Sequence, residues 1–196
     1  MAHWEYQRTV IGYHGCDKKL VEDILSGRMK LEASHNDYDW LGRGIYFWEH
    51  GPDRAFHWAN EINKRHPERV RHPAVIGAVI QLGTCFDLLD VRFTNYLGRL
   101  YPKFRTVLKK QGLRIPRNER SHSKDLDLVK RKRDCAMLNW AIPEIEKEMG
   151  VNFQTVRCVF QEGKAAFTGS AVKSKSHVQI AVRDDSCILG YFLPKT

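Results

Sequence analysis

Asp39-Trp40-Leu41-Gly42-Arg43-Gly44-Ile45-Tyr46-Phe47-Trp48 sets two glycines, one residue apart, directly before an aromatic strand-like run. Glycine lets backbone approach a neighbour or a flat ligand closely, because no Cβ intervenes. Gly51-Pro52 follows as a helix start, since proline suits the first helical turn. The stretch therefore reads as loop, strand, helix, with the glycines at the loop-to-strand junction.

Upstream, Thr9 to Gly15 reads as a strand ending in a turn. Asp17 caps a helix with Leu20, Val21, Ile24 and Leu25 on one face, and Gly27 suits its C′ position. Met29 to Leu31 forms a brief strand, and Ala33 to Asp39 a polar loop. Downstream, the helix from Pro52 turns Ala55, Phe56, Ala59 and Ile62 inward. Ala74 to Leu82 is β-branched and apolar on both faces, as expected of a central strand. Gly83 marks its end, and Phe86 to Asp90 continues as a second strand or turn. Residues 95–111 are helical, with Pro102 breaking or kinking the helix. Gln111 to Ser123 shows no stable period. Asp125 opens another helix, interrupted at Pro143 and stopped at Gly150. Thr155 to Phe160, His177 to Arg183 and Ile188 to Leu193 complete the strands. Strands at both ends with helices between predict a single α+β domain over residues 1–196.

With 196 residues and 42% apolar composition the chain can bury one good core. No apolar run approaches the ~18 residues that span a bilayer, and Met1 to Arg8 carries no signal-peptide core, so no membrane partner is expected. Five scattered cysteines without a Cys-x-x-Cys pair argue against a disulfide framework and against a metal site. A reducing, cytoplasmic location is the expectation. The formal charge of +9 points to a polyanionic partner, nucleic acid before membrane surface. Residues 99–134 hold 13 Lys/Arg against 4 Asp/Glu, an excess equal to that of the whole chain. Lys109, Lys110, Arg114, Arg117, Lys130 and Arg131 are the candidate phosphate contacts. A solvated helical face or an acidic protein partner accounts for the same run.

Tyr13-His14-Gly15 at a strand end, Leu41 to Phe47, and the late strand His177 to Asp184 together form a pattern. It resembles the catalytic core of ADP-ribosyltransferases of the diphtheria-toxin and poly(ADP-ribose) polymerase branch. The resemblance covers residues 9–90 and 155–193 and leaves a basic, mostly helical insertion at about 95–150. It implies a split antiparallel β-sheet core with flanking helices, and NAD bound by a His-Tyr-Glu triad. Carried over by position, His14 bonds a ribose hydroxyl and Gly15 holds the nicotinamide carboxamide through its backbone. Gly44 allows close approach, and Tyr46 stacks on the pyridinium cation. Arg54 falls where the family has a small hydroxyl residue, and His57, with Trp58 beside it, where a second ring flanks nicotinamide.

Gln179 stands where the family carries glutamate. An amide keeps the hydrogen bond but offers only a dipole to the charge developing on the ribose, a loss of about 3–4 kcal/mol. Three outcomes follow: a slow transferase relying on Gln179, a carboxylate supplied by Glu162, or binding without catalysis. His177 shares a strand face with Gln179 and could orient or deprotonate an acceptor. Phe167, in the loop Gly163 to Ser176, could stack on a base. The resulting expectation is an NAD-dependent ADP-ribosyltransferase acting on nucleic acid, RNA ahead of DNA, as a bacterial toxin or defence effector with an antitoxin partner. The alternatives are a protein side-chain acceptor and an inactive NAD- or RNA-binding module.

Overall fold

A computed structural model describes residues 5–121 and 127–195. The strands are β1 (Glu5–Asp17), β2 (Ile45–Glu49), β3 (Pro73–Asp87), β4 (Thr155–Phe160), β5 (His177–Val182) and β6 (Ile188–Phe192). The helices are α1 (Lys18–Leu25), α2 (Pro52–Arg65), α3 (Val91–Lys110) and α4 (Lys132–Met149). The α+β class holds.

The sheet order is β1-β2-β5-β4-β3-β6, with β1 also pairing β3. The first five strands thus form a closed circuit of pairings. Antiparallel pairing was expected throughout, but β3 and β4 run parallel through Cys85↔Thr155 to Asp87↔Arg157. Parallel strands need a long crossover connection, and α3 and α4 supply it. The segment expected as an insertion is therefore this crossover, and its helices form a packed layer.

Residues alternate between two cores because successive side chains point to opposite faces. Ile45, Phe47, Ile180 and Val182 join Ile76, Ala78 and Ile80 beneath Val21 and Ile24 of α1. Ala181 and Val156 instead meet Phe86, Phe93, Phe104, Leu138, Ile142 and Ile145 under α3 and α4.

Several local expectations are corrected. β3 passes through Gly83, which adopts φ +57° without ending the strand. Residues 29–31 form no strand. Phe56 is 46% exposed rather than inward, and Leu25 is 43% exposed. Pro102 and Pro143 lie inside continuous helices. Both face solvent, where water can serve the carbonyls they leave unbonded, and buried residues on either side hold each helix to one core. The predicted helix start at Asp125 lies outside the described residues; α4 begins at Lys132.

Candidate functional site

β1 and β2 part company at His14. Their pairing runs through Gly12↔Glu49 and Tyr13↔Trp48, and His50 N–H donates to the Ile11 carbonyl at 3.0 Å. Bonded rungs alternate in an antiparallel ladder, so Gly15 opposite Tyr46 is the next bonded rung due. The pairing stops before it. His14 Nδ1 takes the Tyr46 carbonyl instead, at 2.8 Å. Meanwhile β1 continues along β3 to Asp17↔Pro73, with Lys18 N–H donating to the His72 carbonyl. By the same alternation, the N–H and C=O of Gly15 point away from β3, into the opening between β1 and β2.

α2 roofs that opening. A Cβ on Gly15 would lie 2.1 Å from the Ala55 carbonyl oxygen, so only glycine allows the helix this close. Trp58 comes within 6.4 Å of the His14 ring and 5.9 Å of Trp48, ring centre to ring centre. Burial lowers the pKa of His14, outweighing the carbonyl bond that raises it. The ring is therefore neutral near pH 7, with Nδ1–H donating and Nε2 left as an acceptor.

Tyr46 is fixed by its own hydroxyl, which donates to Gly42 O at 2.7 Å and accepts from Leu41 N at 2.9 Å. Burial raises its pKa well above the ordinary phenol, so it stays protonated. Gly42 has φ +78°, and a Cβ there would meet Asn139 Oδ1 at 2.7 Å. That same oxygen accepts from Arg43 N–H at 2.9 Å. At Gly44 a Cβ would press on Ala181 and Val182 at 3.0 Å. Both glycines of the Gly-x-Gly thus serve packing against α4 and β5.

The facing wall is built on β5. Trp48 pairs with Gln179, and Trp40 Nε1–H donates to Gln179 Oε1 at 2.5 Å. His177 Nδ1 donates to the Lys175 carbonyl at 2.6 Å. Its ring lies 5.3 Å from Phe160 and 6.3 Å from Trp48. Burial first, with the nearby Arg54 charge, lowers its pKa to about 4 despite that carbonyl bond. Arg54 sits 5.6 Å from the Trp48 ring centre and pairs with Glu162 at 2.9 Å. Arg131 lies over Phe160 at 4.5 Å.

Comparison with known proteins adds little beyond this geometry. No family model matches the chain, and no solved structure matches it. An uncharacterized protein of Methanocaldococcus jannaschii is 30% identical over 97 residues, covering 48% of this chain and 44% of that protein. The chain thus spans under half of that relative's length.

The structure gathers His14, Gly15, Tyr46, Arg54, Trp58, Glu162, His177 and Gln179 around the β1–β2 opening and the adjoining wall. His57 is exposed on α2, and the ring that reaches His14 is Trp58. Phe167 is 70% exposed on the loop between β4 and β5, a small hairpin closed by the Ala165↔Lys173 bridge. Lys109, Lys110, Arg114 and Arg117 are exposed, whereas the later basic run is engaged internally. Lys130 pairs its main chain with Glu119, and Lys132 approaches Asp37 and Glu119. Among the described residues no group of three or more His, Cys, Asp or Glu side chains is placed to hold a metal. Among those residues no helix is long and apolar enough to cross a membrane.

Trp40, Trp48, Phe160 and Asn139 escaped the sequence reading. Trp48 carried a usable signal, standing two residues beyond Tyr46 on the same strand face. Chemically, the site combines two neutral imidazoles with free Nε2 atoms, facing indoles, a guanidinium and an oriented amide. It suits a flat ring carrying donor and acceptor groups beside hydroxyls.

Proposed function

We propose that the chain is an NAD-dependent ADP-ribosyltransferase. The observation that carries this reading is the open rung at Gly15. A primary carboxamide offers one donor and one acceptor, the same pair that the missing Tyr46 rung would have presented to Gly15. Nicotinamide fits that demand, and Trp58 and Tyr46 offer ring surfaces for its pyridinium. His14 Nε2 accepts from a ribose hydroxyl. Because Trp40 occupies Gln179 Oε1, the Gln179 NH2 group is the part that can donate to a second ribose hydroxyl. When bound, NAD supplies an activated glycosidic bond to nicotinamide. His177, neutral and with Nε2 available, receives the proton of the attacking group.

Nucleic acid is the acceptor class that the exposed Lys109, Lys110, Arg114 and Arg117 favour, RNA ahead of DNA, in a cytoplasmic toxin or defence effector held in check by an antitoxin partner. Labelled NAD incubated with total RNA, DNA and protein tests it: label is expected in RNA, and label confined to protein ends the nucleic-acid reading.

One pair of observations favours a non-catalytic NAD-binding module. Gln179 offers no carboxylate, and Glu162 is held by Arg54. That reading predicts NAD binding with no nicotinamide release on any acceptor. Release that disappears in Gln179→Ala would rule it out.

A further inference from the structure

Among the described residues, every buried side-chain nitrogen or oxygen without a hydrogen-bond partner belongs to Trp48, Arg54 or Arg131. The atoms are Trp48 Nε1, Arg54 Nε and Nη1, and Arg131 Nε, all of them donors. They lie along one wall, in which Arg54 stacks on Trp48, Trp48 meets His177, His177 meets Phe160, and Phe160 carries Arg131.

Arg54 is the most exacting of these. Its side chain is 13% exposed, and only its Nη2 has an acceptor, Glu162. A guanidinium has five N–H donors, so one carboxylate oxygen leaves most of them unserved. Glu162 is also 14% exposed, so this ion pair has lost most of its hydration without full compensation. Arg54 lies in the first turn of α2, whose N-cap Gly51 makes no side-chain capping bond. Helix dipole and guanidinium charge therefore add at the same place, offset in part by the exposed Asp53 of that turn.

We propose that Arg54, with the Trp48 indole N–H, is a receptor for a phosphoryl group. Three buried donors and a fixed positive charge match the oxygens of a phosphate, which can accept several charge-assisted bonds at once. Glu162 is the internal counter-ion that holds the guanidinium in place, and the chain turns directly after it at Gly163, with φ +93°. Arg131, on the far side of Phe160, adds a second positive charge for an extended anion. This deepens the reading above by naming what the Arg54 wall takes. The phosphoryl group can come from the dinucleotide or from a nucleic acid acceptor.

Binding of ADP, adenosine and a short oligouridylate to the whole protein, followed by tryptophan fluorescence and calorimetry, separates the sources. ADP is expected to bind at least ~10-fold more tightly than adenosine, with an affinity that falls as salt rises. Arg54→Gln should abolish that preference, Arg54→Lys should retain part of it, and Glu162→Gln should strengthen ADP binding. Oligouridylate binding that depends on Arg54 assigns the group to the acceptor; ADP binding alone assigns it to the dinucleotide. Equal binding of ADP and adenosine by the wild-type protein, together with oligouridylate binding unchanged in Arg54→Gln and Arg54→Lys, overturns the proposal. ADP binding without nicotinamide release from NAD would sink the transferase reading while leaving the phosphoryl site standing.

Discussion

The Trp40 indole N–H and Gln179 Oε1 lie 2.5 Å apart, although the two residues are 139 positions apart in the chain. An indole nitrogen only donates, so this contact decides which end of the amide is which. Gln179→Glu keeps the acceptor for Trp40 and adds a charge where the amide had a dipole. Nicotinamide release should rise by about 10²-fold, the scale of one well-placed electrostatic group. A rate unchanged by the substitution would show that residue 179 does not face developing charge.

His177 links the wall to pH. Its folded pKa, about 4, lies below the ordinary histidine value of 6.5 because the ring is buried. The unfolded chain therefore binds the proton first as pH falls, and stability is lost between pH 6.5 and about 4. The loss is on the order of 3 kcal/mol for the full interval. His14, lowered in the same direction, adds to it. Urea midpoints measured across that interval should fall, and His177→Gln should flatten the slope.

Glycine positions separate by what surrounds them. Gly15→Ala forces a Cβ to within 2.1 Å of a main-chain oxygen of α2, and a cost near 3 kcal/mol is expected. Gly98 lies inside α3 with nothing within 4 Å of its Cβ position. There alanine should stabilise by about 0.5–1 kcal/mol. Denaturant titrations of the two variants should move in opposite directions.

Arg157 bonds Glu49 through two nitrogens at 2.5 and 3.0 Å and Asp87 through a third at 3.0 Å. All three side chains are at most 8% exposed. Arg157→Met leaves buried Asp87 without its cation and Glu49 with only the exposed Arg8, 3.5 Å away, and a loss of about 3–5 kcal/mol should follow. Replacing all three residues with apolar ones should recover much of it, a result that chemical unfolding would show directly.

Much of the framework was readable because β-branched and aromatic runs announce strands: 9–15, 45–48, 74–82 and 155–160 all lie within observed strands. The β3–β4 pairing was not readable, since nothing local in Cys85 to Asp87 marks a parallel partner about seventy residues away. The two helix-interior prolines misled for a related reason. Propensity speaks for one turn, while Phe93 and Phe104, or Ile142 and Ile145, act from both sides of it. At the site, His14 and Gly15 stood out as residues, but the acceptor of His14 is a main-chain carbonyl, which every residue has. The Arg54–Glu162 pair joins positions 108 apart and leaves no pattern in sequence.

β2 is held at both ends by side chains that reach to opposite faces of the sheet. Tyr46 anchors it to the turn at Leu41 and Gly42, and Glu49 anchors it to Arg157. The wall bearing Tyr46 and Trp48 is therefore set when the chain folds, and an arriving ligand meets a finished mould. Little ordering entropy remains to be spent on that strand at binding. Selection among ligands by this wall accordingly rests on shape, as a template discriminates, and not on the ligand's capacity to organise it.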